Sequence, residues 1–177
     1  MKEKPPASEY AASFGRYVTL ITEFDVLPVL ERQIDELSAY AAAVPAEREL
    51  FRYAPGKWSV RQVFGHMTDG ERVFAYRALC ISRGEKAALP AFDENDYVEH
   101  SAYDTTPLAD LRDEFMEVRR ANVRMLKRLD DAAWRAIGKA GTNPISVRAL
   151  AYVMAGHVRH HFNGLSTHYG IVPGRER

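Results

Sequence analysis

The sequence predicts an all-α protein, a four-helix bundle with short extra helices. Two observations favour this class. Four long segments place their apolar residues at alternating spacings of three and four, and no stretch alternates convincingly between apolar and polar residues. The three-four spacing gives each helix one apolar stripe, and four such helices can bury their stripes against one another. With 177 residues, the chain is long enough for one domain with a substantial core.

The first long helix is expected to begin at Asp25 and to end before Pro45. Aspartate is a favoured N-cap residue, and proline is disfavoured inside a helix. The residues before this helix read as a polar lead-in at 1–8 and a short helical segment from about Glu9 to Thr19. The apolar stripe of the helix consists of Leu27, Leu30, Ile34, Leu37 and Ala41.

The second long helix is expected to run from Ser59 to about Arg83. Pro55-Gly56 signals a turn before it, Ser59 is a good N-cap, and Gly84 offers a stop. Residues 85–106 then form an irregular stretch. A loop of that length is long for a compact domain and is often functional, and we expect it to contain a short helical turn.

The third long helix is predicted from about Pro107 to Leu129, because proline suits the first helical position. A short helical piece follows around Trp134, and residues 138–144 form a loop rich in glycine, asparagine and proline. The last long helix is predicted from Ser146 to about His168, with Gly170 as its stop.

The composition of the chain excludes some classes of function. Formal net charge is zero, with 24 basic and 24 acidic residues, so we expect neither nucleic-acid nor membrane binding, and charge does not oppose self-association. A single cysteine, Cys80, allows neither an internal disulfide nor a cysteine-based zinc motif and fits a cytoplasmic protein. The expected organisation is a flexible N-terminus at 1–8, one helical domain at 9–170 and a C-terminal tail at 171–177.

The histidines carry the clearest functional signal. The sequence has six, namely His66, His100, His157, His160, His161 and His168. His157 and His161 lie four residues apart on the last helix and so share one face, from which two imidazoles can converge on one metal ion. Apolar residues surround this pair on the helical wheel, which places it toward the bundle interior. His160 points elsewhere, and His168 lies too far along the axis to share the site.

His66, at the edge of the apolar arc of the second helix, is the candidate third ligand, although His100 competes for this role. Three histidines would leave a coordination position open for water, a thiol or substrate, which is the catalytic pattern. The alternative is that these are ordinary core or surface histidines whose nitrogens are hydrogen-bonded.

Three further residues are candidates for catalysis. Glu71 lies on an apolar face, where it is either a base beside the metal or, as we favour, half of a buried ion pair with an arginine such as Arg148. Asp69 either orients an imidazole or lies on the solvated surface. Arg77 either holds an anionic substrate group or pairs with a surface acid. Asn122 interrupts the third stripe, where it specifies register or faces the pocket.

Several segments together resemble the DinB/YfiT-like family of metal-binding helical proteins. The resemblance spans about residues 9–169, and each segment alone is unspecific. The segments are Tyr53-Ala54-Pro55-Gly56-Lys57-Trp58-Ser59-Val60, the stretch from Gly65-His66-Met67 to Ala78-Leu79, Phe92-Asp93-Glu94-Asn95-Asp96-Tyr97, Ser146-Val147-Arg148-Ala149-Leu150-Ala151-Tyr152, Ala155-Gly156-His157 and His160-His161.

The resemblance implies a four-helix bundle with an unusual helix order and one divalent metal ion, most often zinc or nickel. It assigns His66, His157 and His161 as ligands, and it implies a homodimer. Relatives include thiol S-transferases that use low-molecular-weight thiols and proteins named as metal-dependent hydrolases. We therefore expect a metal-dependent hydrolase or thiol S-transferase acting on a small molecule. The alternatives are a non-catalytic metal- or ligand-binding protein and a metal-free bundle that acts by self-association or partner binding.

Overall fold

Seven α-helices account for most of residues 3–174, the part of the chain that the computed structural model describes. Four are long, as predicted, and three are short. The predicted flexible N-terminus and C-terminal tail each include residues outside this range, namely 1–2 and 175–177. The helices are α1 (Ala12–Val18), α2 (Val26–Ala42), α3 (Val60–Ser82), α4 (Glu94–Glu99), α5 (Leu108–Lys127), α6 (Asp131–Arg135) and α7 (Val147–Thr167).

Side-chain caps start three of the long helices at the predicted residues. Asp25 accepts a hydrogen bond from the backbone N–H of Leu27. Ser59 forms a reciprocal capping box with Gln62 at the start of α3. The Ser146 side chain accepts a hydrogen bond from the backbone at the start of α7. Each cap satisfies an N–H that has no partner inside its helix, so the helix starts are encoded locally.

The four long helices pack in the cyclic order α2, α5, α3, α7, so that α3 contacts both α5 and α7. The last helix is the most deeply placed, because α1 covers its outer side. Every residue from Val147 to Val158 is buried. A helix that is buried on all sides needs apolar or hydrogen-bonded residues all round, which explains why polar side chains in α7 carry information about function.

A small three-stranded sheet is the element that sequence analysis missed. It consists of β1 (Ala88–Leu89), β2 (Ile137–Ala140) and β3 (Asn143–Ser146); β1 pairs parallel to β2, and β2 pairs antiparallel to β3. Gly141 turns the β2–β3 hairpin with a φ of +58°, which glycine adopts without steric cost. Strands of two to four residues are too short to establish a period-two pattern.

The stretch at 85–106 contains the short helical turn that we predicted, helix α4, together with β1 and a single 3₁₀ turn at Tyr103–Thr105. Asp93 caps α4 by accepting hydrogen bonds from the backbone N–H groups of Asn95 and Asp96. This stretch therefore has defined structure along α3, from Pro90 beside Arg77 to Asp104 beside the N-cap residue Ser59. Among the described residues, no helix has the length and apolarity needed to cross a bilayer.

Candidate metal centre

Three histidine rings converge where α3 packs against α7. The Nε2 atom of His157 lies 2.9 Å from Nε2 of His66 and 3.1 Å from Nε2 of His161. One proton can satisfy only one of these two contacts well, because each neutral imidazole has a single donor and a single acceptor. Three ring nitrogens aimed at one point suit a cation better than they suit one another.

Glycines and aromatic rings hold the imidazoles in this arrangement. A Cβ at Gly70 would lie 2.6 Å from Cε1 of His157, so only glycine leaves room for that ring. Tyr17 packs edge-on against His157, with ring centroids 5.4 Å apart. The Trp58 ring covers His66 at a centroid distance of 4.5 Å. The rings are thus oriented by packing before any ligand arrives, which is the preorganisation that a functional site needs.

Burial keeps these histidines neutral. His66 is 4% exposed and His157 is 3% exposed, whereas His161 is partly exposed. Loss of solvation lowers the pKa of His66 from 6.5 to about 4, and it lowers the pKa of His157 and of His161 well below the ordinary value. Neutral imidazole is the form that binds metals, so the lone pairs are available at physiological pH.

The donor set fits a divalent metal ion. The three histidines offer one ring nitrogen each, and these atoms lie within 4.8 Å of one another. His66 Nδ1 is buried without a hydrogen-bond partner among residues 3–174, so the His66 ring is not held by the ordinary network of a structural histidine. Imidazole nitrogens alone do not distinguish zinc from nickel.

The other three histidines lie outside this cluster. His160 is exposed and packs edge-on against Tyr17. His100 is exposed at the end of α4, where its Nδ1 lies 2.8 Å from the carbonyl oxygen of Asp96. His168 stacks on the ring of Tyr53. The structure therefore brings His66, and not His100, to the pair on α7.

Two cavities flank the histidine cluster. One, of about 220 Å³, reaches His66 and His157 and is bounded by Tyr17 and Arg77. The other, of about 510 Å³, reaches His161 beside Trp58. The cluster thus lies between two recesses, and each of its three histidines lines one of them.

Glu71 belongs to a different buried cluster. Its carboxylate accepts two hydrogen bonds of 2.8 Å from the guanidinium of Arg119, and Asn122 donates a further one of 3.1 Å. The predicted ion pair is present, but the partner named for it was wrong, because Arg148 pairs with Glu9 instead. Helical periodicity gives no information on which of two arginines from different helices faces a given acid.

The remaining two candidates are placed differently. Asp69 contacts the hydroxyl of Tyr103, and loss of solvation raises the pKa of its carboxyl. Arg77 is 4% exposed and lines the 220 Å³ cavity with two of the histidines. Asn122, left open between register and pocket, hydrogen-bonds Glu71 and lines neither cavity. Of Glu71, Asp69 and Arg77, the three candidates for catalysis, Arg77 is the one that lines a cavity.

Sequence analysis missed Gly70, Tyr17 and Phe92 as parts of this site. A signal existed for the first of them, because Gly70 lies one turn after His66 on the same helix face. A glycine inside a helix costs about 1 kcal/mol and therefore often has a packing reason. Phe92 begins one of the segments that carry the family resemblance, and it reaches the site from the stretch after β1. No signal existed for Tyr17, which reaches the site from α1.

The fold and the histidine cluster define a helical bundle with a candidate three-histidine metal centre, and comparison with known proteins assigns its family. The model of the DinB superfamily matches residues 29–164, so the chain belongs to that superfamily. No curated protein sequence gave a significant match.

Two solved structures share the fold. YfiT from Bacillus subtilis, described as a probable metal-dependent hydrolase with an unusual four-helix bundle topology, superposes with a TM-score of 0.74 at 19% identity, covering 96% of this chain and 95% of YfiT. A mycothiol-dependent maleylpyruvate isomerase superposes with a TM-score of 0.63 at 11% identity, covering 77% of this chain and 58% of the isomerase. At these identities the likeness establishes the fold alone.

Proposed function

We propose that His66, His157 and His161 bind one divalent metal ion, zinc or nickel, and that the protein is a metal-dependent enzyme acting on a small molecule. The reaction is hydrolysis or transfer of a low-molecular-weight thiol. The observation that carries this proposal is the convergence of three neutral imidazole nitrogens between two cavities. The descriptions of the two structural relatives, one metal-dependent and one thiol-dependent, agree with it.

A divalent ion with three protein ligands supplies an open position at which a water or thiol loses its proton near neutral pH. The chain's own residues contribute orientation and exclusion of water. Packing around His157 fixes the direction of its lone pair, and Trp58 shields His66 from solvent. Since Glu71 is occupied by Arg119, the proposal assigns it no proton transfer.

Elemental analysis of untagged protein tests the metal site. We expect one equivalent of zinc or nickel in the wild type and loss of that metal in His66→Ala, His157→Ala and His161→Ala. His160→Ala is the matched control, because this histidine is exposed, adjacent to His161 and outside the cluster. A wild type that retains no metal after incubation with either ion would overturn the proposal.

The reaction class is tested on the metal-loaded protein. Electrophilic small molecules are offered with and without a low-molecular-weight thiol, and both thiol consumption and acid release are followed. Thiol-dependent turnover that the His161→Ala variant lacks would assign thiol transfer, and thiol-independent acid release would assign hydrolysis. Stoichiometric metal with all coordination positions filled by protein would instead favour a binding protein.

A homodimer and a cytoplasmic location stay predictions from the family resemblance and from the single cysteine. Light scattering of the purified protein and fractionation of the cells that make it are the direct measurements.

A further inference from the structure

Arg77 is a buried cation, and the described part of the chain offers it no acidic partner. It is 4% exposed, and its Nη2 donates a hydrogen bond of 2.7 Å to the carbonyl oxygen of Pro90. Its guanidinium carbon lies 5.8 Å from the centroid of the Phe92 ring. Within residues 3–174, no carboxylate approaches it to ion-pair distance, whereas the other two buried arginines, Arg119 and Arg148, each pair with a glutamate.

An unpaired buried guanidinium needs an explanation, because charged groups leave water at a cost unless they are compensated. One carbonyl oxygen satisfies one of the five N–H groups that arginine offers. Arg77 is one of the residues that line the 220 Å³ cavity, which also reaches His66 and His157. The compensation that the protein lacks can therefore come from a ligand in this cavity.

The charge around the cavity favours an anion. Among the described residues, its charged lining consists of two arginines, Arg16 and Arg77, and one acid, Glu94, which is partly exposed. Arg16 is exposed, and its Nη2 donates to the hydroxyl of Tyr17. Aromatic rings, including Phe92, form the apolar part of the wall. This lining suits a small molecule with an aromatic or aliphatic part and one anionic end.

The distance between Arg77 and the histidines suits an elongated molecule. Arg77 follows His66 by eleven residues on α3, which separates their Cα atoms by roughly 16 Å along the helix axis. Despite this separation, Arg77, His66 and His157 line the same cavity. An anion bound at Arg77 and an atom reacting at the histidines would occupy opposite ends of one small molecule.

We propose that Arg77 binds the carboxylate of an anionic small-molecule substrate, through two parallel N–H···O hydrogen bonds, while the other end of that substrate reaches the histidine cluster. Planar bidentate recognition of a carboxylate is the geometry in which arginine outperforms lysine. The part of this proposal that concerns the histidine cluster rests on the proposed function, whereas binding of the carboxylate by Arg77 does not depend on it. The carboxylate end can therefore be tested with a probe that needs no metal.

The probe pair is benzoate and benzyl alcohol, which share a ring and differ in the charged group. Binding to the full-length protein is measured by calorimetry or NMR titration, both as purified and after loading with zinc. We expect wild type to prefer benzoate by at least about tenfold, since hydrogen bonds to charged groups are the stronger ones. Arg77→Gln should abolish this preference while leaving benzyl alcohol affinity unchanged.

Three further variants make the result specific. Arg72→Gln, on the same helix but outside the cavity, should keep the wild-type preference. Glu94→Gln should strengthen benzoate binding and leave benzyl alcohol binding unchanged, because it removes the one acid that lines the cavity within residues 3–174. Arg77→Lys should lose part of the preference for benzoate, since lysine lacks the planar pair of N–H donors of arginine. This variant serves as the test if Arg77→Gln does not fold.

Equal affinity for the two probes in wild type, or an undiminished preference in Arg77→Gln, would overturn the carboxylate subsite. An undiminished preference in Arg77→Lys would overturn the two parallel hydrogen bonds, because lysine keeps the charge but lacks the planar pair of donors. None of these results would change zinc retention, and hence the metal centre. Conversely, a protein that binds benzoate through Arg77 but retains no metal would support the subsite and overturn the proposed function.

Discussion

Two buried polar clusters lie in the same bundle, and they differ in how well their hydrogen bonds are satisfied. In the first, Arg119 uses all three of its nitrogens, bonding both oxygens of Glu71, the side chain of Gln33 and the carbonyl oxygen of Leu30. Gln33 in turn donates to the carbonyl oxygen of Ala155. This network joins all four long helices. In the second cluster, three imidazole nitrogens face one another with at most one good hydrogen bond among them.

The difference separates a structural cluster from a functional one. Opposite charges with complete hydrogen bonding compensate each other inside a core and need no further group. Like groups that converge without satisfying each other are costly until a further group binds between them. Burial and polarity alone do not distinguish the two, because Glu71 and His157 are 1% and 3% exposed.

The largest expected effect comes from breaking the satisfied cluster. Arg119→Met leaves the Glu71 carboxylate buried without its cation, and we expect a loss of about 3–5 kcal/mol in the free energy of unfolding. The double variant Glu71→Leu/Arg119→Met removes both charges and should be more stable than the single variant. Urea denaturation measures both. A double variant no more stable than Arg119→Met would contradict this view of the network.

The functional cluster should respond in metal affinity rather than in stability. Gly70→Ala places a Cβ 2.6 Å from His157 Cε1 and 3.0 Å from Nδ1, so the ring must shift. We expect zinc affinity to fall by about ten- to a hundredfold, as it does when the support of a ligand is disturbed. Competition with a chelator measures this affinity. Gly164→Ala is the matched control on α7, since nothing lies within 4 Å of its added Cβ. Equal zinc affinity in both variants would show that Gly70 does not position His157.

A further buried ion pair, Glu9 and Arg148, extends the comparison of the clusters to the pH dependence of stability. Hydrogen bonding to Arg148 is the main cause that lowers the pKa of Glu9 below its usual value of 4.5. The stability from this pair is therefore present above pH 4.5 and is lost as the pH falls through the lowered pKa. Thermal unfolding is measured at pH values from 7 down to 3. As the pH falls, the melting temperature of Glu9→Gln should decrease less than that of the wild type. Parallel curves for the two proteins would contradict this assignment.

The smallest effect is expected at the surface. Arg72 pairs with Glu114 at 2.6 Å, but both side chains are more than two-fifths exposed. Exposed ion pairs contribute less than about 1 kcal/mol, so Arg72→Gln should change the free energy of unfolding by no more than that in urea. A loss as large as that of Arg119→Met would mean that burial does not determine how much an ion pair contributes to the free energy of unfolding.

Much of the fold was predictable because its signals are local. The starts of α2, α3 and α7 follow from Asp25, Ser59 and Ser146, which cap their helices within three residues. The helical turn inside 85–106 was also expected. The sheet was not, because its strands are two to four residues long and β1 pairs with β2 from about fifty residues away.

The candidate site was predictable in part for the same reason. The spacing of His157 and His161 is a property of one helix, so the sequence alone places them on one face. Their convergence with His66 depends on how α3 packs against α7. The position of His66 at the edge of an apolar arc made it the candidate third ligand, but periodicity did not exclude His100. The resemblance to a known family agreed with the choice of His66.

By itself, the sequence determined the all-helical class, the four amphipathic stripes, most helix starts and the histidine pair on α7, because each depends on residues within a few turns of one another. The tertiary structure alone decided that Glu71 faces Arg119 rather than Arg148 and that Gly70 leaves room for His157. It also decided that Arg77 is buried at the cavity of two histidines with no acidic partner among the described residues. These facts depend on which faces of different helices meet, and packing of the whole chain sets that choice.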